Sequence, residues 1–381
     1  MSHPPTLRLA AIQMDVRPAP TYERLERADR LVAQAAAQGA RLVLLPEVFN
    51  TGYAYVDENF QRAETLDGPT IAWMQETAAR LDIHLAGSLL LFSRGQIHNA
   101  LILAAPNGRI WRYDKRYPWG WERAYSRPGS DLTIAHTELG DIGLLICWDV
   151  AHAHLWQGYA GQVHLVLVAS CPPDIGHPTY HLPDGRQVTW EELGPVAKVI
   201  RHSLRRIFGD TIEQQAAWLG VPLAITGGCG HFHSPVPRGR AALLSLALTA
   251  PWLLRYLPQA DHLELSCHIT PACKILDAHG QVVAECTQEQ GETFILAEVE
   301  LPQARPQPGT PQPRPPVPWI AYLFSDVLLP ALVRPIYQHG VQRAWGPSLP
   351  SPGLARNRRA LAAGLLLLGS AFLWLLLRRR K

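Results

Sequence analysis

Cysteine is scarce in this sequence and follows no regular spacing. Six cysteines occur in 381 residues, and none of them forms a Cys-x-x-Cys pair. Disulfide frameworks and the common structural zinc sites need closely spaced cysteines, so the sequence predicts neither. Scattered thiols in a chain of this length are typical of a protein in a reducing compartment. We therefore expect the bulk of the chain to lie in the cytoplasm.

Charged residues are scarce as well. They make up 18% of the sequence, and the formal net charge is only +3. Such a small charge does not indicate nucleic acid as a general partner. Residues 1–6, which precede the first apolar run, also lack the hydrophobic stretch of a secretory signal peptide. Nucleic-acid binding and secretion are therefore not expected.

Apolar runs alternate with helical patterns as far as residue 300. The sequence predicts strands over 7–14 and 41–46, with an alanine-rich helix over 22–38 between them. Further strand and helix signals continue in the same way to 293–299, and no internal repeat interrupts them. This alternation predicts a layered α/β domain over 1–300.

The composition changes sharply after residue 300. Residues 301–318 are rich in proline, which predicts a semi-rigid extended linker. Residues 319–345 are apolar but interrupted by charges and prolines, which favours a helix lying in a membrane interface. The segment 360–377 is apolar apart from one serine. At about 1.5 Å per residue, such a segment just crosses a hydrocarbon core of about 30 Å.

A buried core helix is the alternative for 360–377. The segment follows a proline-rich linker, however, so no core remains for it to join. Basic residues flank it on both sides, which suits lipid headgroups but does not settle its orientation. We therefore predict a single transmembrane helix that anchors the chain, with the preceding domain in the cytoplasm.

Three apolar strands are each followed by a residue that can carry chemistry: Glu47, Lys115 and Cys147. Active sites of layered α/β proteins gather where strands end. A carboxylate can take the proton of a thiol, and an ammonium can stabilise the thiolate and the oxyanion formed on attack. Each residue alone has a plainer explanation, as a small buried cysteine or a solvated polar residue. Together they make a workable acyl-transfer site.

The sequence around these three residues resembles the three signature blocks of the nitrilase (carbon–nitrogen hydrolase) superfamily, in the right order. The blocks are 41–47, 112–115 and 143–149, and the resemblance extends from about residue 7 to residue 300. Further stretches agree with the family pattern, among them Asp67-Gly68-Pro69. The chain is therefore identified as a member of this superfamily.

This resemblance implies a four-layer αββα sandwich that dimerises through its outer helices. It also implies Glu47 as general base, Lys115 as oxyanion partner and Cys147 as nucleophile. Glu122 would orient the substrate or the lysine, and the backbone N–H of Trp148 would complete the oxyanion hole. No metal and no cofactor are implied, because the thiolate supplies the attack.

Two stretches depart from the family pattern. After Asp149 the family often continues with Pro-Glu and then Arg, whereas this chain has His154 and Gln157 at those places. This leaves local salt bridging at the dimer contact in doubt. His152 and His154 have no partners at ligand spacing, so they predict no metal site. Residues 231–265 form an apparent apolar insertion, which predicts either a helix packed on the core or a lid that dips into the bilayer surface.

The leading hypothesis is hydrolysis of a non-peptide, amide-type C–N bond through a thioester on Cys147, at a membrane surface. The expected substrate is a small-molecule or a lipophilic amide, and the anchor together with the apolar insertion favours the lipophilic one. N-acyl transfer by the same acyl-enzyme is one alternative, and a catalytically inactive membrane scaffold is another. Nitrile hydrolysis ranks lower, because Asp149 stands where nitrilases often carry Glu.

Overall fold

The structure, a computed structural model, describes residues 5–193, 206–247 and 250–346. The strands within these ranges are β1 (Thr6–Asp15), β2 (Leu42–Leu44), β3 (His84–Ser93), β4 (Gln96–Ala104), β5 (Ile110–Asp114), β6 (Ile134–Thr137), β7 (Gly140–Ile146), β8 (Leu165–Ala169), β9 (Thr179–His181), β10 (Gln187–Thr189), β11 (Leu223–Ile225), β12 (Gly227–Cys229), β13 (His231–Pro235), β14 (Glu264–His268), β15 (Lys274–Leu276), β16 (Val282–Glu285) and β17 (Thr293–Glu300).

The helices of the same ranges are fewer and mostly short. The α-helices are α1 (Thr21–Ala37), α2 (Asn59–Arg62), α3 (Pro69–Leu81), α4 (Ala153–Tyr159), α5 (Ile212–Leu219), α6 (Gly239–Ala247), α7 (Trp319–Tyr322) and α8 (Leu329–Trp345). Stretches of 3₁₀-helix lie at Gly120–Ala124, Cys147–Ala151, Trp190–Leu193, Pro251–His262 and Gln288–Gln290, and π-helical turns at Ile207–Thr211 and Leu323–Leu328.

Two large mixed sheets form the centre of the fold. The first has the strand order β12-β1-β2-β3-β4-β5, and β17 pairs antiparallel with β1. The second has the order β16-β15-β11-β8-β7-β6, in which β7, β8 and β11 run parallel. The parallel strands are short apolar runs, as expected for strands that are covered on both faces.

Side chains of β1 alternate between two hydrophobic cores, which shows how the layers stack. Leu9 belongs to the core shared with the second sheet, whereas Ala10 and Ile12 belong to the core shared with α1 and α3. Successive side chains of a strand point to opposite faces, so β1 separates the two cores. On the far side of the second sheet, α4 and α5 contribute Trp156 and Ala216. The predicted α/β class is confirmed, with helices, two sheets and helices packed in that order.

The apolar insertion predicted at 231–265 folds against the domain. It contains β13, α6, the 3₁₀-helix Pro251–His262 and the start of β14. Its strands join β9 and β10 in an antiparallel sheet of order β10-β9-β14-β13. Leu243, Leu253 and Leu263 are buried in a core that also holds Tyr180. Leu244 and Leu254 are about half exposed, at 48% each. A helical element packed on the core therefore accounts for the buried part of this segment.

Residues 301–318 run along the outside of the domain without helix or strand. Their backbone carbonyls accept hydrogen bonds from α5: the Trp218 indole donates to Gly309 at 2.6 Å, and the Gln215 amide donates to Pro313 at 2.8 Å. In return, the Gln312 amide donates to the Ala153 carbonyl at 2.7 Å. These contacts hold the proline-rich segment against the second helical layer.

The segment predicted as an interfacial helix, 319–345, packs on the domain through one face of α8. Val333 is buried, and the hydroxyl of Tyr337 accepts a hydrogen bond from the Ile97 N–H at 2.9 Å. A Cβ at Gly340 would lie 2.1 Å from the Phe60 ring, so only glycine allows this approach. The helix is therefore fitted to the protein surface along its length.

Membrane-spanning segments can be searched only within the described residues. Across 5–193, 206–247 and 250–346, no helix combines the length and the apolar character that a membrane crossing requires. The transmembrane helix predicted at 360–377 lies outside these ranges.

Candidate active site

The three sequence-predicted residues follow the ends of strands from both large sheets. Glu47 comes three residues after β2, and Lys115 comes directly after β5, with its N–H bonded to the Asn99 carbonyl at 2.9 Å. Cys147 comes directly after β7 in the second sheet. Because the two sheets pack face to face, these strand ends deliver the side chains to one buried place between them.

Lys115 lies between two carboxylates. Its Nζ is 2.6 Å from Glu47 Oε1 and 2.6 Å from Glu122 Oε2. Glu122 sits on the 3₁₀-helix Gly120–Ala124, and its other oxygen accepts a hydrogen bond from the Tyr53 hydroxyl. Burial alone would lower the pKa of Lys115, but the charges of Glu122 and Glu47 outweigh it and raise that pKa. The lysine is therefore held as an ammonium ion.

Burial raises the pKa of both Glu47 and Cys147. It raises the pKa of Glu47 to about 7, although the charge of Lys115 opposes the shift. It also raises the pKa of Cys147 well above its usual value, and the charge of Glu47 adds to this effect. The resting cysteine is therefore a neutral thiol beside a carboxyl group that changes ionisation near neutral pH.

The backbone is strained where the chain leaves strands β2 and β7. Cys147 has φ +45°, and Val48, which follows the glutamate, also has φ +45°. Positive φ is unfavourable for both residue types, and such outliers concentrate at functional sites. The conformation turns the chain sharply after β7, so that the 3₁₀-helix Cys147–Ala151 begins at the thiol.

A chain of hydrogen bonds fixes the orientation of Glu47. The Asn99 amide donates to Glu47 Oε1 at 2.8 Å, and the Ser88 hydroxyl donates to Asn99 Oδ1 at 2.9 Å. The Val48 N–H in turn donates to Ser88 Oγ at 3.0 Å. Ser88 and Asn99 were not among the residues predicted from the sequence. Their signal was a polar residue beside an apolar run in each of two mostly buried strands, β3 and β4.

Asp149 joins the turn after Cys147 to the strand that carries Lys115. It is fully buried, and it accepts hydrogen bonds from the Tyr113 hydroxyl at 2.8 Å and the Tyr117 N–H at 2.8 Å. The same oxygen that accepts from Tyr113, Oδ2, also accepts a hydrogen bond from the Ile146 N–H at 3.1 Å. The carboxylate therefore ties the ends of β5 and β7 together.

A narrow pocket opens above Cys147. Its cavity volume is about 20 Å³, which is room for about one water molecule. Aromatic and apolar side chains surround it: Tyr53, Tyr55, Trp119, Trp148, Pro172, Pro173, Ile175 and Phe208, together with Glu122 and Cys147. Among the described residues, no group of three or more His, Cys, Asp or Glu side chains could hold a metal ion.

Comparison with protein families gives a match over residues 8–191, to the family described as "Carbon-nitrogen hydrolase". Among curated proteins, Omega-amidase NIT2 of Danio rerio is 32% identical over 174 residues, which are 42% of this chain and 61% of that protein. A protein named Nitrilase from Pyrococcus abyssi is 28% identical over 148 residues, which are 38% of this chain and 56% of that protein. The chain thus spans less than two thirds of these relatives.

Solved structures agree with the fold. Nit3 of Saccharomyces cerevisiae, described as a member of branch 10 of the nitrilase superfamily, matches with a TM-score of 0.55 and 18% identity, covering 78% of this chain and 91% of that one. An amidase mutant from Nesterenkonia AN1 matches with a TM-score of 0.54 and 20% identity, covering 78% and 92%. At such identities the likeness concerns the fold alone. The family match supports the prediction of a carbon–nitrogen hydrolase domain within residues 8–191.

Proposed function

Since residues 8–191 match the carbon–nitrogen hydrolase family, we propose that this chain hydrolyses a non-peptide amide C–N bond through a thioester on Cys147. The observation that carries the proposal is the burial of the Cys147 thiol beside Glu47, which is paired with Lys115 at 2.6 Å. A nucleophile, a base and a fixed cation are the parts that acyl transfer requires.

Acylation begins with a proton transfer from Cys147 Sγ to the Glu47 carboxylate. The thiolate forms a bond to the amide carbonyl carbon, and the carbonyl electron pair moves onto oxygen. The Lys115 ammonium and the backbone N–H of Trp148 stabilise this oxyanion. As the C–N bond breaks, Glu47 gives its proton to the leaving amine, and the acyl group stays on sulfur as a thioester.

Water then releases the acyl group at the same residues. Glu47 takes a proton from the water molecule, whose oxygen attacks the thioester carbon. The C–S bond breaks, the carboxylic acid leaves, and the sulfur of Cys147 recovers the proton from Glu47. One water is consumed for each acid and each amine or ammonia released. Glu122 keeps Lys115 in place throughout, because it holds the other side of the ammonium.

The pKa values favour Glu47 as the base. A general base works best when its pKa lies near the operating pH, and the pKa of Glu47 is raised to about 7. The pKa of the Cys147 thiol is raised far above neutrality by burial. The thiol therefore needs a base in contact with it, and Glu47 is that neighbour.

The lining of the pocket is mainly aromatic and apolar, which supports an uncharged acyl group as substrate. In this conformation the cavity of about 20 Å³ holds about one water molecule, so it must widen to admit any amide, and a small acyl group needs the least widening. The name of one relative, Omega-amidase NIT2, supports an amide, while the name of the Pyrococcus abyssi relative leaves a nitrile as the alternative. A lipophilic amide would require the pocket to widen around Trp119 or Phe208.

The cellular setting belongs to the proposal too. An apolar run at 360–377 with basic flanks supports a membrane anchor, and the scattered cysteines support a catalytic domain in the cytoplasm. The homodimer is proposed from the resemblance to the superfamily alone. Extraction of the full chain from membranes by a carbonate wash would contradict the anchor, and a monomeric mass in detergent would contradict the dimer.

The proposal is tested with a panel of primary and substituted amides of increasing acyl length. We expect ammonia or amine release, together with a transient acyl adduct in the intact-protein mass, and faster release from short acyl groups. A stable adduct that discharges only when an amine is added would replace hydrolysis by N-acyl transfer. Neither release nor adduct with any amide would leave the inactive scaffold as the better account.

Activity is expected to rise with pH with a midpoint near 7. Glu47 must be ionised to accept the thiol proton, and its pKa is raised to about 7. Stability should respond in the opposite direction. A carboxyl group with a raised pKa binds its proton more tightly in the folded state, so its contribution is lost as pH rises from 4.5 towards 7. The activity prediction is checked by measuring kcat/KM for a short amide from about pH 5 to 9. A profile that stays flat down to pH 5 would contradict Glu47 as the base.

A further inference from the structure

The turn between α7 and α8 contacts the residues that follow the nucleophile. Asp326 lies in the π-helical turn Leu323–Leu328, and its carboxylate reaches two side chains of the segment after Cys147. The Trp148 indole donates to Asp326 Oδ1 at 3.2 Å, and His152 Nε2 lies 3.0 Å from Asp326 Oδ2. One carboxylate of the segment 319–345 therefore contacts Trp148 near the start of the 3₁₀-helix Cys147–Ala151 and His152 directly after its end.

His152 is fixed on several sides. Its Nδ1 lies 3.1 Å from the Trp148 carbonyl, while its ring stacks on Tyr117 at 3.5 Å between centroids. Carbonyl and carboxylate oxygens only accept hydrogen bonds, so both ring nitrogens act as donors where these contacts form. Next to it, the Tyr322 hydroxyl donates to the Ala151 carbonyl. The C-terminal segment thus contacts the backbone and the side chains of residues 148–152.

Trp148 connects these contacts to the reaction site. It follows Cys147 directly, its indole lines the pocket, and it is almost fully buried at 4% exposure. In the proposed reaction its backbone N–H holds the oxyanion. A displacement of the indole would therefore change both the shape of the pocket and the position of an oxyanion donor.

Asp326 is not needed to hold α8 on the domain. Further along the helix, the Trp345 indole stacks on Phe92 at 4.0 Å and donates to the Phe60 carbonyl at 2.9 Å. The Tyr337 ring lies under the Arg127 guanidinium at 3.8 Å. Removing the Asp326 carboxylate from most of its water costs free energy, and the attachment of α8 does not depend on it. This points to a role at Trp148 and His152, which the carboxylate contacts.

We propose that Asp326 is a positioning residue for the active site, which orients Trp148 and His152 so that the segment after Cys147 keeps its reactive shape. The helical segment 319–345 then contributes a positioning residue to the catalytic centre. The kinetic part of this inference depends on the proposed amide hydrolysis. Its structural part, the placement of Trp148 over Cys147, does not.

Two substitutions of Asp326 separate hydrogen bonding from bulk packing. Asp326→Ala removes both acceptors. Asp326→Asn keeps an oxygen for the Trp148 indole and offers an amide N–H to Nε2 of a neutral His152. Arg343→Ala is the matched control, because it breaks the exposed ion pair with Asp57 at 3.1 Å on the same segment. All three are made in the full chain, and their thermal midpoints are compared with wild type.

Turnover of a short amide is the first measurement. For Asp326→Ala we expect kcat to fall about 10- to 100-fold, with KM changed less than about threefold. Asp326→Asn and Arg343→Ala should stay within about threefold of wild type. A kcat of the alanine variant within about twofold of wild type would overturn the proposal. So would an asparagine variant as slow as the alanine variant, since the hydrogen bonds would then not explain the effect.

Alkylation of Cys147 by iodoacetamide is the second measurement, and it needs no substrate. Peptide mapping follows the modified residue, and we expect Asp326→Ala to react at least about threefold faster because the loosened Trp148 no longer covers the thiol. If wild type hydrolyses no amide, the proposed function fails while this rate still decides the inference. Equal alkylation rates in wild type and the alanine variant would overturn it.

Discussion

The Cys147→Ala protein is expected to lose amide turnover by at least about 10⁴-fold and to form no acyl adduct. The substitution removes the only atom that forms the covalent bond in the proposed reaction. The other groups stay in place, because Lys115 remains between its two carboxylates and Asp149 still joins the strand ends. The thermal midpoint should therefore change little. Turnover and intact-protein mass, measured on one preparation, check both statements.

Cys286→Ala provides the matched control. Cys286 is also a buried free cysteine, but it lies at the end of β16, beside Cys273 and outside the pocket. Its removal should leave turnover and adduct formation unchanged. If the Cys147→Ala protein still carries an adduct, the nucleophile is a different residue, and the proposed role of Cys147 is wrong.

The Lys115→Met protein is expected to be both unstable and inactive. Removing the ammonium leaves the carboxyl groups of Glu47 and Glu122 buried without the partner that each contacts at 2.6 Å. Breaking a buried ion pair from one side costs about 3 to 5 kcal/mol of unfolding free energy. The lost charge also lets the pKa of Glu47 rise further, so the deficit grows as pH increases above 4.5. Urea unfolding at a mildly acidic and a mildly alkaline pH measures this difference.

Two further variants test the physical cause. Lys274 also pairs with a glutamate at 2.6 Å and is itself buried, but its partner Glu213 is 37% exposed and can be hydrated when unpaired. Lys274→Met should therefore cost no more than about 1 kcal/mol. Adding Glu122→Gln to Lys115→Met removes one stranded carboxylate and should restore part of the lost stability. Equal losses for the two lysine variants, or no recovery in the double variant, would show that unpaired charge is not the cause.

The catalytic candidates could be found from the sequence because their signals are local. Glu47, Lys115 and Cys147 each follow an apolar run that a strand explains, and strand ends of layered α/β folds meet. The same reasoning predicted an extended segment at 301–318 and a helix at 319–345, but it gave no sign of where that helix packs.

The missed features depend on contacts between distant parts of the chain. Asp326 contacts Trp148 across 178 positions of sequence, and no local pattern marks either residue as the partner of the other. The small sheet is similar, since β9 pairs with β14 only after α5 and α6 have intervened. Ser88 and Asn99 are an intermediate case, because a polar residue in a buried strand predicts a hydrogen bond but not its partner.

The pairing of one ammonium with two carboxylates also decides which substrates can approach. When all three groups are ionised, the buried cluster of Glu47, Lys115 and Glu122 carries one surplus negative charge. In a poorly hydrated pocket this charge acts over several ångströms with little screening. An acyl group bearing its own carboxylate near the reacting carbon would be repelled, whereas a neutral or cationic one would not. In the proposed reaction, the cluster that takes the thiol proton would therefore also select substrates by their charge.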